Sequence, residues 1–194
     1  MTDLNFEQFV PTDQQAKQFE KKYNKVSVDE KSDLFDEQES IWLWNQAPIS
    51  QDQIDKKYKA FVYLITNKIN KKRYIGFKTL ISPKSTYVNH KKKKIEVNSD
   101  WETYWSSSEQ LVQDVIRYGT GNFIREIVCF TTNKSVGKYY EAKMQFERNV
   151  VEQNADLYYN GIINLRLNHN SILKWNQTVF CNKPLLGDIL AEQS

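Results

Sequence analysis

The chain has 194 residues, 40% of them apolar and 13% aromatic, which suffices for one domain with a real core and excludes wholesale disorder. It carries no apolar run of about eighteen residues and no charged-then-apolar leader, so neither a membrane span nor export is expected, and a soluble cytoplasmic protein is. The net charge of +3 hides an asymmetry: residues 1–55 sum to 5 − 12 = −7, residues 56–128 to 15 − 6 = +9, and residues 129–194 to 7 − 6 = +1. A basic central block beside an acidic leader is the footprint of a domain that meets a polyanion.

The leader holds a helix candidate at 12–23, an acidic stretch at 27–40, and then Ile41-Trp42-Leu43-Trp44, an apolar cluster expected to pack on the body of the domain or on a partner. Pro48 and Ser50 break the chain before a second short helix expected over 51–58. The next stretch, FVYLITNKINKKRYIGFK from Phe61 to Lys78, reads as a hairpin: β-branched and aromatic residues flank a polar turn at 67–72, and Tyr63 and Tyr74 are expected to face each other across it. Residues 79–100 are the least regular part, and the run Lys91–Lys94 reads as an exposed basic loop suited to phosphate.

Ser108 is placed to cap a helix over 109–118, which carries Leu111, Val112, Val115 and Ile116 on one stripe, and Gly119 is placed to end it. A third strand is expected over 123–130 and a second helix over 139–151. Cys129 and Cys181 are the only cysteines and sit far apart, while His90 and His169 lack zinc spacing; Cys129 reads as a buried small hydrophobe in a reducing compartment. The absence of any glycine-rich phosphate loop argues against a doubly wound parallel fold.

Phe61-Val62-Tyr63 and then Tyr74-Ile75-Gly76, eleven positions on from tyrosine to tyrosine, with ITNKIN between, resemble the signature hairpin of the GIY-YIG nuclease superfamily. The downstream order, Trp101, SSS with Leu111, Tyr118-Gly119 with Asn122-Phe123, a strand, Glu141 on a helix and Tyr159-Asn160, is similar to the whole nuclease domain, most closely to the small free-standing homing-endonuclease-like branch encoded by bacteriophages. The resemblance implies an α+β fold, a small three-stranded antiparallel sheet flanked by helices, over residues 58–170, with an acidic N-terminal extension at 1–57 and a C-terminal tail at 171–194. It implies a metal-dependent DNA endonuclease, in a bacterial host cell if phage-encoded.

On that reading Tyr63, Tyr74, Lys78 and Glu141 are the catalytic set. Glu141 holds one Mg2+ (or Mn2+), a hard ion that accepts a single carboxylate and keeps its waters. Tyr63 is the expected base and Tyr74 the residue that holds the water, with the roles exchangeable. Each phenol needs positive charge from Arg73, Lys78 or the ion to work at neutral pH. Arg73, Lys84, His90, Lys91, Lys92, Lys93 and Asn160 are the expected substrate contacts, with Asn164 a rival to Asn160. The chain departs from the family pattern at Phe61 (glycine), Phe77 (lysine), Lys84 (arginine) and Val88 (histidine). The alternative is a weakened or inactive GIY-YIG-fold protein that acts by binding nucleic acid or protein, with the leader, Trp42 and Trp44 docking a protein partner, mediating a homodimer, or covering the basic face.

Overall fold

The computed structural model describes residues 41–88, 91–165 and 178–192, without the side chains of 87–92. The leader helix at 12–23, the acidic stretch and His90 lie outside that range. The central hairpin forms as the sequence indicates, β3 (Ala60–Asn67) and β4 (Arg73–Thr79) joined by the polar turn. Asn67 shapes that turn by accepting from the Ile69 N–H at 2.9 Å, and Asn70 accepts from the Lys72 N–H at 3.0 Å. β7 (Phe123–Thr131) runs antiparallel to β3 on its other side, so β7–β3–β4 is the expected three-stranded core.

The sheet is nevertheless larger than three strands, and mixed. β1 (Trp42–Trp44) lies parallel to β7 and pairs with the two-residue β2 (Ala47–Pro48), while β8 (Thr178–Phe180) extends the same edge of β7, giving six strands among the described residues. Residues 42–57, assigned by sequence to the extension, thus contribute two strands to the domain sheet. Trp42 is buried and donates its indole N–H to the Trp101 carbonyl at 2.9 Å, and Trp44 packs on Phe130; both serve the core. The helix expected at 51–58 shrinks to a 3-10 turn at Gln51–Gln53, since Asp55 caps the backbone of Lys57 instead.

All eight residues of β3 are buried, because both faces of the sheet are covered. One face packs Trp42, Phe61, Tyr63, Ile65, Trp101 and Trp105 beneath α1 (Glu109–Tyr118), where Ser108 accepts from the Leu111 N–H and Gly119 ends the helix at φ 80°. Truncating Leu111, fully buried there, would cost about 2–5 kcal/mol. The other face packs Val62, Leu64, Ile75 and Cys129 beneath α2 (Lys134–Glu147), capped by Asn133, which begins five residues earlier and ends four earlier than the apolar spacing predicts. The third helix, α3 (Leu186–Glu192), is pinned by buried Glu126, which accepts from the Leu186 and Gly187 N–H groups at 2.6 and 2.8 Å.

The basic stretch is a ribbon rather than a loop. β5 (Ile81–Val88) and β6 (Lys91–Asn98) pair antiparallel along their whole length and form a separate two-stranded sheet. Lys91–Lys94 lie within β6, and Lys84, Lys93 and Lys94 are exposed. No helix among the described residues is long and apolar enough to cross a membrane.

Candidate active site

Tyr63 and Tyr74 share one face of the hairpin without facing each other. The register sets Tyr63 opposite Gly76 and Tyr74 opposite Ile65, so the two phenols are diagonal neighbours with ring centroids 6.0 Å apart. A β-bulge displaces the pairing of β3 with β7 between Val62 and Tyr63, and bulges of this kind re-aim the side chain beside them. The hydroxyls of Tyr63, Tyr74 and Tyr104 are hydrogen-bonded in a group, and Tyr74 also meets Ser107 at 3.2 Å.

Burial raises the pKa of all three phenols, Tyr104 to about 12 and Tyr63 well above its ordinary value. The Glu141 carboxylate adds to the rise at Tyr63 and Tyr74. Neither expected cation offsets it. Arg73 is taken by Asp188 at 3.3 Å and lies over the Tyr158 ring, and Lys78 is taken by Asp100 at 2.6 Å, its ammonium 3.5 Å from the centre of the Tyr104 ring. Lys78 does share the face of Tyr74, two pairs along β4, so its place in the strand is compatible with the site.

Glu141 comes to the same place around the free edge of β4. Phe77, which stands where the family pattern has lysine, presses its ring on Gly137, where a Cβ would overlap it. This close approach seats α2, and one turn later Glu141 accepts a hydrogen bond from the Phe77 N–H. Burial pushes Glu141 up to about 7, against the pull of Lys138 and of that N–H. A carboxylate so placed has its charge poorly compensated, which is what a cation would relieve.

The edge of β4 is closed by side chains and by one backbone bridge at Arg73 rather than by another strand. The Asn160 amide acts as a substitute backbone: its Oδ1 accepts from the Ile75 N–H at 2.9 Å, and its Nδ2 donates to the Ile75 carbonyl at 2.7 Å. Gln145 donates to the same carbonyl at 3.1 Å, and the Tyr159 N–H donates to the Arg73 carbonyl at 2.8 Å. Asn160 therefore braces the edge with both ends of its amide spent. Beside it opens a cleft of about 390 Å3 lined by Tyr74, Ser107, Glu141, Gln145, Asn160 and Asn164. Tyr63 lies behind Tyr74, 1% exposed, and is absent from the cleft wall.

The residues expected at the site thus divide. Tyr74, Glu141 and Asn160 converge on the cleft with Tyr63 beneath; Arg73 and Lys78 are engaged elsewhere; Lys84 and Lys93 stand on the ribbon, and the Lys91 and Lys92 side chains and His90 lie outside the described atoms. Sequence reasoning missed Lys138, Ser107 and Arg125. Lys138 and Gln145 sit three and four residues from Glu141, a spacing that puts them on its helix face. Arg125 is buried between the rings of Trp42 and Trp105, 4.7 Å from each, and donates to the Glu102 and Tyr104 carbonyls at 3.1 Å, which fixes the loop that carries Tyr104 and Ser107. No local pattern marks it.

A family model described as putative endonuclease segE, GIY-YIG domain, matches residues 42–163, more than half of the chain. No curated protein and no solved structure matches. The match begins at the first residue of β1 and ends beyond Asn160, so it includes Tyr63, Tyr74, Ser107, Glu141, Gln145 and Asn160. With that extent, and with Tyr63, Tyr74 and Gly76 on one hairpin face, the chain belongs to the GIY-YIG nuclease superfamily, in the family of the putative endonuclease segE domain.

Proposed function

We propose that this protein is a divalent-metal-dependent endonuclease that hydrolyses phosphodiester bonds of DNA in the cleft between Tyr74 and Glu141. The observation that carries the reading is the half-buried Glu141 carboxylate, raised to about 7, brought around the β4 edge into the cleft that the Tyr74 phenol lines. One carboxylate among neutral oxygen donors fits Mg2+ or Mn2+, which keep most of their waters. Among the described residues no group of three His, Cys, Asp or Glu offers a zinc-type site. Glu141 would hold the ion, which when bound supplies positive charge to the phosphorane and to the neighbouring phenol.

The chain's own residues do the rest. Ser107 fixes the Tyr74 hydroxyl at the cleft wall, and Tyr74, ionised, takes the proton of the attacking water. The water oxygen forms the new bond to phosphorus, the bond to the leaving sugar oxygen breaks, and that oxygen is protonated from solvent. Tyr63 holds Tyr74 from behind, and the role of base, first expected of Tyr63, falls to Tyr74. Lys138, exposed one turn before Glu141, supplies charge to the incoming phosphate.

Supercoiled plasmid incubated with Mg2+ tests the reading, beside Glu141→Gln and Tyr74→Phe. Nicking should fall by at least about 100-fold in Glu141→Gln; equal nicking by both proteins removes Glu141 from the mechanism. A second reading, DNA binding without hydrolysis, is favoured by the capture of Arg73 and Lys78 by carboxylates. It predicts salt-sensitive binding and no product with any divalent ion.

A further inference from the structure

We propose that the β5–β6 ribbon is a DNA-reading arm that lies in the major groove beside the scissile phosphate; the proposal rests on the nuclease reading above and names the contact that positions its substrate. Residues 81–98 carry five lysines against one glutamate. The glutamate, Glu96, is held at the root of the ribbon by Lys59 at 3.2 Å, which leaves the outer ribbon wholly basic. Lys84 and Lys93 fall on one face with Thr86 and Ile95, and Ser85 and Lys94 on the other, as the pairing 84 with 95, 85 with 94 and 86 with 93 requires. Lys84, Ser85, Lys93, Lys94 and Ile95 are exposed, so neither face is covered by the domain.

A lone two-stranded ribbon buries too little to be stable by itself in water. This one is anchored to the domain at its root. Leu80 is buried in the core, the Ser99 N–H donates to its carbonyl at 2.9 Å, and the Ser99 hydroxyl donates to the Thr79 carbonyl at 2.5 Å. Eight residues per strand give a reach of about 26 Å, and the major groove of B-form DNA admits a two-stranded ribbon. Lysines on both faces, beside serine, threonine and isoleucine, match a groove that offers phosphates at its walls, and base-edge acceptors and thymine methyls at its floor. Because the root continues β4 about 20 Å beyond Tyr74 and the ribbon reaches about 26 Å further, the groove contact is held within roughly one and a half helical turns of the cut.

The test uses full-length Glu141→Gln, which binds without cutting, on a duplex whose cut position has been mapped with the parent protein. Binding is measured across a series of KCl concentrations, and guanine N7 and adenine N3 are probed with dimethyl sulfate. Replacing Lys84, Lys93 and Lys94 by glutamine should lower the slope of log affinity against log salt by about three. It should also abolish guanine N7 protection within about one and a half turns of the cut. An unchanged slope and footprint, or a lowered slope with no N7 protection in the parent, overturns the groove assignment while parent cleavage keeps the nuclease reading. A parent protein that neither binds nor nicks DNA overturns both. A circular dichroism melt confirms that the three-lysine variant is folded.

Discussion

The Tyr63 phenol stands directly over Gly76, its antiparallel partner on β4, and a Cβ at Gly76 would overlap that phenol and come within 2.7 Å of the Tyr74 ring. The glycine is thus a steric requirement of the two-tyrosine face rather than a turn residue. Gly76→Ala should cost about 1–3 kcal/mol by overpacking and displace Tyr74 from Ser107, lowering nicking more than tenfold. Removing the hydroxyl in the double variant Gly76→Ala, Tyr63→Phe should recover part of the lost stability. A thermal melt in which the double variant is no more stable than the single one would show that the overlap is relieved elsewhere.

Glu141 offers a stability signature of its own. The folded protein holds the Glu141 proton up to about pH 7, whereas the unfolded chain releases it near the ordinary 4.5. Between those values the folded state binds more protons, so stability falls as pH climbs through the window and stays reduced above it. Glu141→Gln keeps an acceptor for the Phe77 N–H and removes the buried charge. In metal-free buffer it should therefore gain about 2 kcal/mol over the parent at pH 8, and nothing at pH 4. Adding Mg2+ at pH 8 should raise the melting temperature of the parent and leave the variant unmoved. A variant no more stable than the parent at pH 8 would mean that the carboxylate is already compensated.

What the sequence made legible was local. The hairpin turn, the Ser108 cap, the Gly119 terminus and the β7 strand depend on residues within a few positions of one another, and each appears within a residue or so of its expected place. The ribbon was missed because lysines on both of its faces leave no alternation to read, and an uncovered strand has no apolar side. The parallel pairing of β1 with β7 joins segments about eighty residues apart, which no local pattern records.

At the candidate site the same division holds. Tyr74, Glu141 and Asn160 were marked by an ordered motif, but the partners that decide what a side chain can do were remote: Asp188 for Arg73 at a separation of 115 residues, and Asp100 for Lys78 at 22. A free-looking cation in the sequence proved to be a paired one in the fold. The reverse applies to Phe77, whose apparent loss of charge is the packing that seats α2 and hence Glu141.

Asn160 separates bracing from substrate contact. Both ends of its amide are used by Ile75, so Asn160→Ala leaves a buried N–H without a partner, while Gln145 still reaches the carbonyl. The loss should be about 1–3 kcal/mol. Asn160→Asp keeps the acceptor but sets a charge beside the Ile75 carbonyl, and should be at least as destabilising. Both variants should lose nicking in proportion to a loosened β4 edge, with DNA affinity at low temperature retained. An Asn160→Asp protein of parental stability that fails to bind DNA would instead make this residue a phosphate contact.

Lys78 poses the sharpest question, because its position in β4 suits the site while its charge is spent on Asp100. The ammonium over the Tyr104 ring holds that ring near Tyr63, whose centroid lies 6.4 Å away. On this geometry Lys78 positions the tyrosine group and does not touch the substrate. Lys78→Met and Asp100→Asn should each cost about 0.5–1 kcal/mol, and together hardly more than one alone, since the first change already removes the pair. The discriminating measurement is the nicking rate at saturating DNA. A positioning role predicts that both single variants slow it by a similar few-fold factor and that the double variant is no slower. Were Lys78 to bind the phosphate, Asp100→Asn would free its charge and speed the reaction, while Lys78→Met alone would abolish it.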